Sequence, residues 1–258
     1  MSFWIFEIII FMNFIKKYCK LAQRILTQKR PMEIKVLAFD ADDTLFVNEP
    51  YFQEVEQKFC ALMQDYLSHQ GLSQELFKTE IENLSLYGYG IKGYILSMIE
   101  AAMKISNNTI SLEVIAKIIE HGKELLQKPI ELLDGVESTL QALQGKYKLV
   151  VATKGDLKDQ QSKLHRSGLG HYFHHIEVMA DKQEINYEKL LKRLEIKSSE
   201  FMMIGNSLKS DVLPVISIGG FAVHIPFHTT WEHEKIDHKV EHNNFFEFKN
   251  ISEIMTIL

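Results

Sequence analysis

Cysteine is almost missing, with only Cys19 and Cys60 in the chain. That excludes a disulfide scaffold, and without a CxxC pair it excludes a Cys-rich zinc site. Both read as unpaired thiols of a reducing compartment. Glycine and proline are scarce, 13 and 5 of 258 residues, which rules out a collagenous or low-complexity chain. A surplus of positive charge is lacking as well: 29 Lys and Arg stand against 34 Asp and Glu, a formal net charge of −5. Binding of nucleic acid through bulk positive charge is therefore not expected. Long apolar runs are also short. Residues 1–15 form an apolar stretch broken by Glu7 and Asn13, and a spanning helix needs about 20 apolar residues. Its basic residues, Lys16, Lys17, Lys20 and Arg24, follow the run. A secretory signal carries them before it and ends in an A-x-A-like site, which is absent. Stable membrane insertion is not expected, and the cytoplasm is the expected location. Residues 1–31 read as a non-catalytic extension, with a peripheral membrane anchor or a docked helix as alternatives. A start at Met32 would give a complete domain.

What is present is an alternation of short apolar runs and helix-period segments. Ile34–Phe39, Tyr147–Ala152, His175–Met179, Phe201–Ile204 and Phe221–Ile225 are nearly continuously apolar, as parallel strands covered on both faces must be. Helical patterns over Gly135–Leu143, Leu157–Ser167, Glu184–Leu194 and Leu208–Ile218 separate the later strands, and Ile251–Leu258 reads as a closing helix. This order predicts an α/β fold, a Rossmann-like doubly wound parallel sheet. One interval breaks the rhythm. Asp40 and Thr153 lie 113 positions apart, whereas a βαβ unit needs about 30 residues. The excess carries helical periodicity at Tyr51–His69, Gln74–Leu84, Ile91–Lys104 and Ser111–Leu126, punctuated by Gly71 and Ser106-Asn107-Asn108. It predicts an all-α cap over residues 48–129, inserted after the first strand, with the catalytic core formed by 32–47 and 130–258. An insertion there sits over the carboxyl ends of the strands, positioned as a lid.

The chemistry concentrates in Phe39-Asp40-Ala41-Asp42-Asp43-Thr44-Leu45. Three carboxylates in four positions at a strand end repel one another and raise each other's pKa unless a cation intervenes. Asp40 and Asp42 can both face a reacting group once the strand turns.

This segment resembles the first motif of the haloacid dehalogenase superfamily of phosphohydrolases. Three further stretches follow the superfamily's order. Val150–Gly155 is similar to its second motif, Lys182 sits where the third has Lys or Arg, and Met203–Asp211 resembles the fourth. The resemblance spans about Glu33 to Pro226, and residues 48–129 match the superfamily's type 1 α-helical cap. It implies a Mg²⁺-dependent phosphatase acting on a small phosphorylated metabolite. Asp40 would be the nucleophile that forms an aspartyl-phosphate, and Asp42 the acid that protonates the leaving alcohol and then deprotonates water. An acid at Asp42 favours phosphoryl transfer over dehalogenation, since halide leaves without a proton. Thr153 would hold phosphate oxygens, helped by the helix N-terminus after it. Lys182 would neutralise phosphate and Asp40, and Lys154 would reach the substrate or lie on the surface. The implied Mg²⁺ ligands are Asp40, Asp42 through its backbone carbonyl, and Asn206, with Asp211 supplying charge nearby through water or Ser207. Asn206 departs from the usual Asp, contributing a dipole in place of a charge. Thr44 would orient Asp42, and Asp43 would face solvent or cap the turn.

Weaker signals lie elsewhere. Leu86–Tyr94 holds three Tyr, three Gly and Lys92, either a specificity loop using Tyr89 and Lys92 or a packed helix–helix turn. Two histidine groups, His171, His174, His175 and His224, His228, His233, arise by chance in a chain with 11 histidines. Pro226–Trp231 reads as a packed connection, with a loop at the site rim as the alternative. A phosphomutase, or a phosphate-binding protein with an impaired site, stands as the alternative function. Oligomeric state and substrate identity are not readable.

Overall fold

The computed structural model describes residues 33–258; the expectations for the extension, Cys19 and Met32 lie outside the described residues. Strand β1 (Val36–Phe39) is followed by helices α1 (Glu49–Met63), α2 (His69–Tyr87), α3 (Ile91–Ile105) and α4 (Leu112–Leu126). Then come α5 (Val136–Leu143), β2 (Lys148–Lys154), α6 (Leu157–Arg166), β3 (His175–Met179) and α7 (Glu184–Leu194). β4 (Phe201–Gly205), α8 (Leu213–Ser217), β5 (Phe221–His224) and β6 (Phe245–Glu247) complete the order.

The strands form one sheet, β3-β2-β1-β4-β5-β6, with every pairing parallel. From β1 the chain winds outward through β2 to β3, then returns to β4 on the other side of β1. The crevice at the carboxyl ends of β1 and β4 is thus a topological switch point, where such sheets bind ligands. β1 and β4 are buried along their whole length, which is why their sequences are apolar without alternation.

Two apolar cores form. One packs the sheet against α7 and α8, through Val36, Ala38, Val150, Tyr187, Phe201 and Val215. The other lies within α1–α4, through Val55, Phe59, Met63, Leu72, Met98 and Ile118. Backbone hydrogen bonds from Val47 to Glu131 and from Leu133 to Leu45 bring the two chain crossings between them side by side.

Several expectations are corrected. Gly71 does not end a helix: Ser68 caps α2, its Oγ accepting from the Gly71 amide, so Gly71 lies in the first turn. The expected helix over Leu208–Ile218 opens as a π-helical turn, Leu208–Val212, before α8. Pro214 in the first turn of α8 has no amide to donate, which favours a fresh helix start there. The closing run forms 3₁₀ turns, Ile251–Thr256, rather than an α-helix. β6 has three residues, too few for a periodic signal. No helix among the described residues is long and apolar enough to cross a membrane.

Candidate active site

The Asp40 amide donates to the Ile204 carbonyl at 2.9 Å, which extends the β1–β4 ladder by one residue and pins Asp40 at the strand end. The chain then turns tightly, with the Leu45 amide donating to the Ala41 carbonyl and the Asp43 amide to that of Phe46. Asp43 adopts a left-handed φ of 58°, which a short polar side chain tolerates. It is buried, not solvent-facing. Its carboxylate accepts the amides of Asn48 and Glu49 and so caps the start of α1.

Lys182 lies between two carboxylates. Its Nζ donates to Asp40 Oδ1 at 2.5 Å and to Asp211 Oδ1 at 2.6 Å, with all three groups buried. Burial alone would discharge the lysine, but the Asp211 and Asp40 charges outweigh it and hold its pKa above the ordinary value. Asp40 is pushed upward, by burial first; Lys182 opposes this, while Asp211 and Asp42 add to it. Asp211 Oδ2 also accepts the Ser207 amide at 3.0 Å. It packs so closely on Gly205 that a Cβ there would lie 2.1 Å from Oδ2.

Thr44 does not orient Asp42. Its hydroxyl lies 3.4 Å from Asp40 Oδ2 and 3.3 Å from Asn206 Oδ1. Asp42 is held instead by α6, where Lys163 donates to Oδ1 at 2.6 Å and Gln160 to Oδ2 at 2.8 Å. Sequence reasoning missed both residues. The available signal was their i, i+3 spacing one turn past Asp156, whose side chain caps α6. Gln160 Oε1 is buried without a hydrogen-bond partner among the described residues.

Thr153 is buried at the end of β2, its hydroxyl donating to the Lys154 carbonyl. Lys154 neither lies on the surface nor points an unpaired charge into the cavity. It donates to Glu234 at 2.6 Å and Ser210 at 3.0 Å, and its Nζ sits 4.1 Å from the Tyr89 ring centroid. Burial of Glu234 would raise its pKa. Lys154, with the Ser207 and Ser210 hydroxyls, outweighs this and lowers it to about 2. The Tyr89 hydroxyl donates to Asp181, and its ring meets Trp231 edge-on. Lys92 is drawn aside to Asp156 at 2.9 Å and does not line the cavity, so the structure does not join it with Tyr89 in one site.

Asp40, Asp42, Thr153, Lys154, Lys182 and Asn206 line one cavity of about 190 Å³, roofed by α1–α3. Thr229, Thr230 and Trp231 also line it, so of the two readings of this segment the rim loop holds and not the packed connection. The histidines do not converge. His224 links Glu247 to the Asn206 carbonyl, and His175 pairs with Glu177. Among the described residues no group of three or more His, Cys, Asp or Glu is placed to hold a metal ion. At the end of β1 the oxygens in question are one carboxylate, one amide and one backbone carbonyl. They are hard donors that leave positions for water and phosphate, and they lie where negative charge exceeds Lys182, which fits Mg²⁺.

Residues 34–219 match the haloacid dehalogenase-like hydrolase family. The chain belongs to that family. A haloacid dehalogenase-like hydrolase from Xanthomonas campestris superposes with a TM-score of 0.79 at 34% identity, covering 90% of this chain and 94% of its own. The glyceraldehyde 3-phosphate phosphatase of Methanopyrus kandleri is 25% identical over 190 residues, 69% of this chain and 78% of that protein. A predicted phosphoglycolate phosphatase from Haemophilus somnus shares the fold alone, with a TM-score of 0.57 at 16% identity and coverage of 87% and 98%. In this hydrolase the crevice at the switch point carries the charged groups just described.

Proposed function

We propose that this hydrolase is a Mg²⁺-dependent phosphatase of small phosphomonoesters that works through an aspartyl-phosphate on Asp40, in the cytoplasm. The observation that carries the reading is Asp40, locked at the end of β1, with one oxygen on Lys182 and a second carboxylate, Asp42, two residues on. Likeness to a glyceraldehyde 3-phosphate phosphatase supports a small phosphorylated substrate.

Lys182 holds Asp40 oriented by one oxygen, leaving Oδ2, only weakly engaged by Thr44, to attack phosphorus. Thr153 and the amides opening α6 face the phosphate oxygens. As the ester bond breaks, Asp42 gives its proton to the departing alcohol oxygen; it then takes one from the water that releases phosphate. Both Asp42 oxygens are engaged by Gln160 and Lys163. The proton transfers require one of those contacts to open. Mg²⁺, held by the Asp40 carboxylate, the Asp42 carbonyl and the Asn206 amide oxygen, would neutralise charge on the phosphate. Asp211 acts behind it as the counter-charge to Lys182.

Phosphate release from a panel of phosphomonoesters, with and without Mg²⁺, tests this. Asp40→Asn should lose at least about a thousandfold in kcat while keeping the wild-type circular dichroism. Release at the wild-type rate by the folded variant would overturn Asp40 as nucleophile.

A further inference from the structure

The cavity holds a second set of carboxylates that phosphate chemistry does not use. Its cap wall carries Glu49 and Glu56 from α1 and Glu80 from α2. None of the three pairs with a Lys, Arg or His among the described residues. Burial, reinforced by neighbouring carboxylates, raises Glu49 and Glu80 to about 8. Glu56 accepts from the Ser73 hydroxyl, and Glu49 from Gln53. All three are half-buried, carboxylates without a cation in a partly desolvated place are costly to keep, and their sum is a deficit of positive charge inside the substrate cavity.

A second feature points to a ligand at the same place. Tyr94, only 6% exposed, lines the cavity among these carboxylates, which with burial push its pKa upward. Its hydroxyl takes part in no hydrogen bond among the described residues. The buried atoms left without a partner among the described residues are Thr139 Oγ1 and Gln160 Oε1, so the Tyr94 hydroxyl opens on the cavity, where a ligand can reach it. The Tyr94 ring meets Phe52 at 5.2 Å between centroids, which sets aromatic surface beside the carboxylates. Carboxylates with aromatic rings are the combination that binds organic ammonium groups. The three glutamates are not placed to chelate a metal ion, so a broader cation suits their spacing.

We propose that the substrate is a small phosphomonoester bearing an ammonium group, its phosphate at Asp40 and its ammonium at Glu49, Glu56 and Glu80. This rests on the phosphatase reading and names the substrate class of the same site. Tyr94 supplies a hydroxyl oxygen to an ammonium hydrogen, and the incoming charge draws protons off the glutamates.

Matched esters test it: 2-aminoethyl phosphate against 2-hydroxyethyl phosphate, and glucosamine 6-phosphate against glucose 6-phosphate. The ammonium member of at least one pair should exceed its hydroxyl partner by about tenfold or more in kcat/KM, the worth of a charge-assisted hydrogen bond. Glu80→Gln and, separately, Glu56→Gln should bring that ratio toward unity. Calorimetry of Asp40→Asn with the preferred ester, in buffers of different ionisation enthalpy, should show proton release on binding. Turnover of the esters with no preference in either pair overturns the ammonium assignment and leaves the phosphatase reading standing. If no ester is turned over, the phosphatase reading fails. Wild-type calorimetry on the same pairs then decides the ammonium site separately: equal affinities overturn it, and tighter binding of the ammonium members supports it.

Discussion

Lys182 is the only cation contacting two buried carboxylates, Asp40 and Asp211, among the described ion pairs. Removing one partner of such a cluster leaves charge buried without compensation, at about 3–5 kcal/mol. Lys182→Met should therefore lower stability by about that amount in urea unfolding, in addition to any loss of activity. A loss below about 1 kcal/mol would mean that the carboxylates are neutral in the folded protein. Asn206 carries a different expectation. Its amide oxygen shares the Thr44 hydroxyl with Asp40, so an added negative charge there would face the same oxygens. Asn206→Asp should tighten Mg²⁺ binding in calorimetry. Unchanged affinity would remove Asn206 from the ligand set. At this scale the sequence was informative wherever a residue sits in a motif, as Asp40 and Lys182 do. Thr44 was assigned to the wrong partner, and for Asp43 the capping alternative holds over the solvent-facing one, because a tight turn decides which atoms meet and spacing alone cannot orient a side chain.

Among the secondary elements, the segment after β5 was underread. Turn residues and an aromatic suggested packing, yet the segment delivers Trp231 and Glu234 to the cavity. Glu234 ties the segment after β5 to two elements, through Lys154 at the end of β2 and through Ser207 and Ser210 at the π-helical turn. Its folded pKa, about 2, lies below the ordinary value of 4.5. A depressed carboxyl contributes stability above its unfolded pKa and loses it as pH falls toward the folded one. The stability difference between wild type and Glu234→Gln should be largest near neutrality, of the order of a few kcal/mol, and shrink between pH 4.5 and about 2. A difference independent of pH over that window would show that Glu234 acts by packing and not by charge. Gln160 and Lys163 belong to the same lesson. Both lie on an ordinary amphipathic helix, and only the docking of α6 beside the β1 turn aims them at Asp42.

For the molecule as a whole, the two apolar cores are separate clusters, and what links them includes the paired crossings at Val47 and Leu133, the Lys92–Asp156 ion pair and Arg166 donating to the Leu126 and Gln127 carbonyls. Elements with separate cores open as separate cooperative units. Met98→Ala, at a fully buried position in the cap core, should cost about 2–5 kcal/mol. It should speed amide hydrogen exchange across α1–α4 while leaving protection in β1, β2 and β4 unchanged. Equal acceleration in the sheet would make cap and core one unit.

The parallel sheet, the helical stretch between β1 and β2 and the position of Asp40 at a strand end were all set by local pattern. Continuous apolar runs can be satisfied only by strands buried on both faces, and helical periodicity over residues 49–126 admits no sheet. Tertiary structure alone decided what faces what. It turned the Asp42 carboxylate to α6, withdrew Lys92 to Asp156, engaged Lys154 with Glu234 and gathered glutamates without a cationic partner around the nucleophile's cavity. These outcomes depend on contacts between residues far apart in the chain, whose charges and burial acquire meaning only after the cap and the sheet have closed around one cavity.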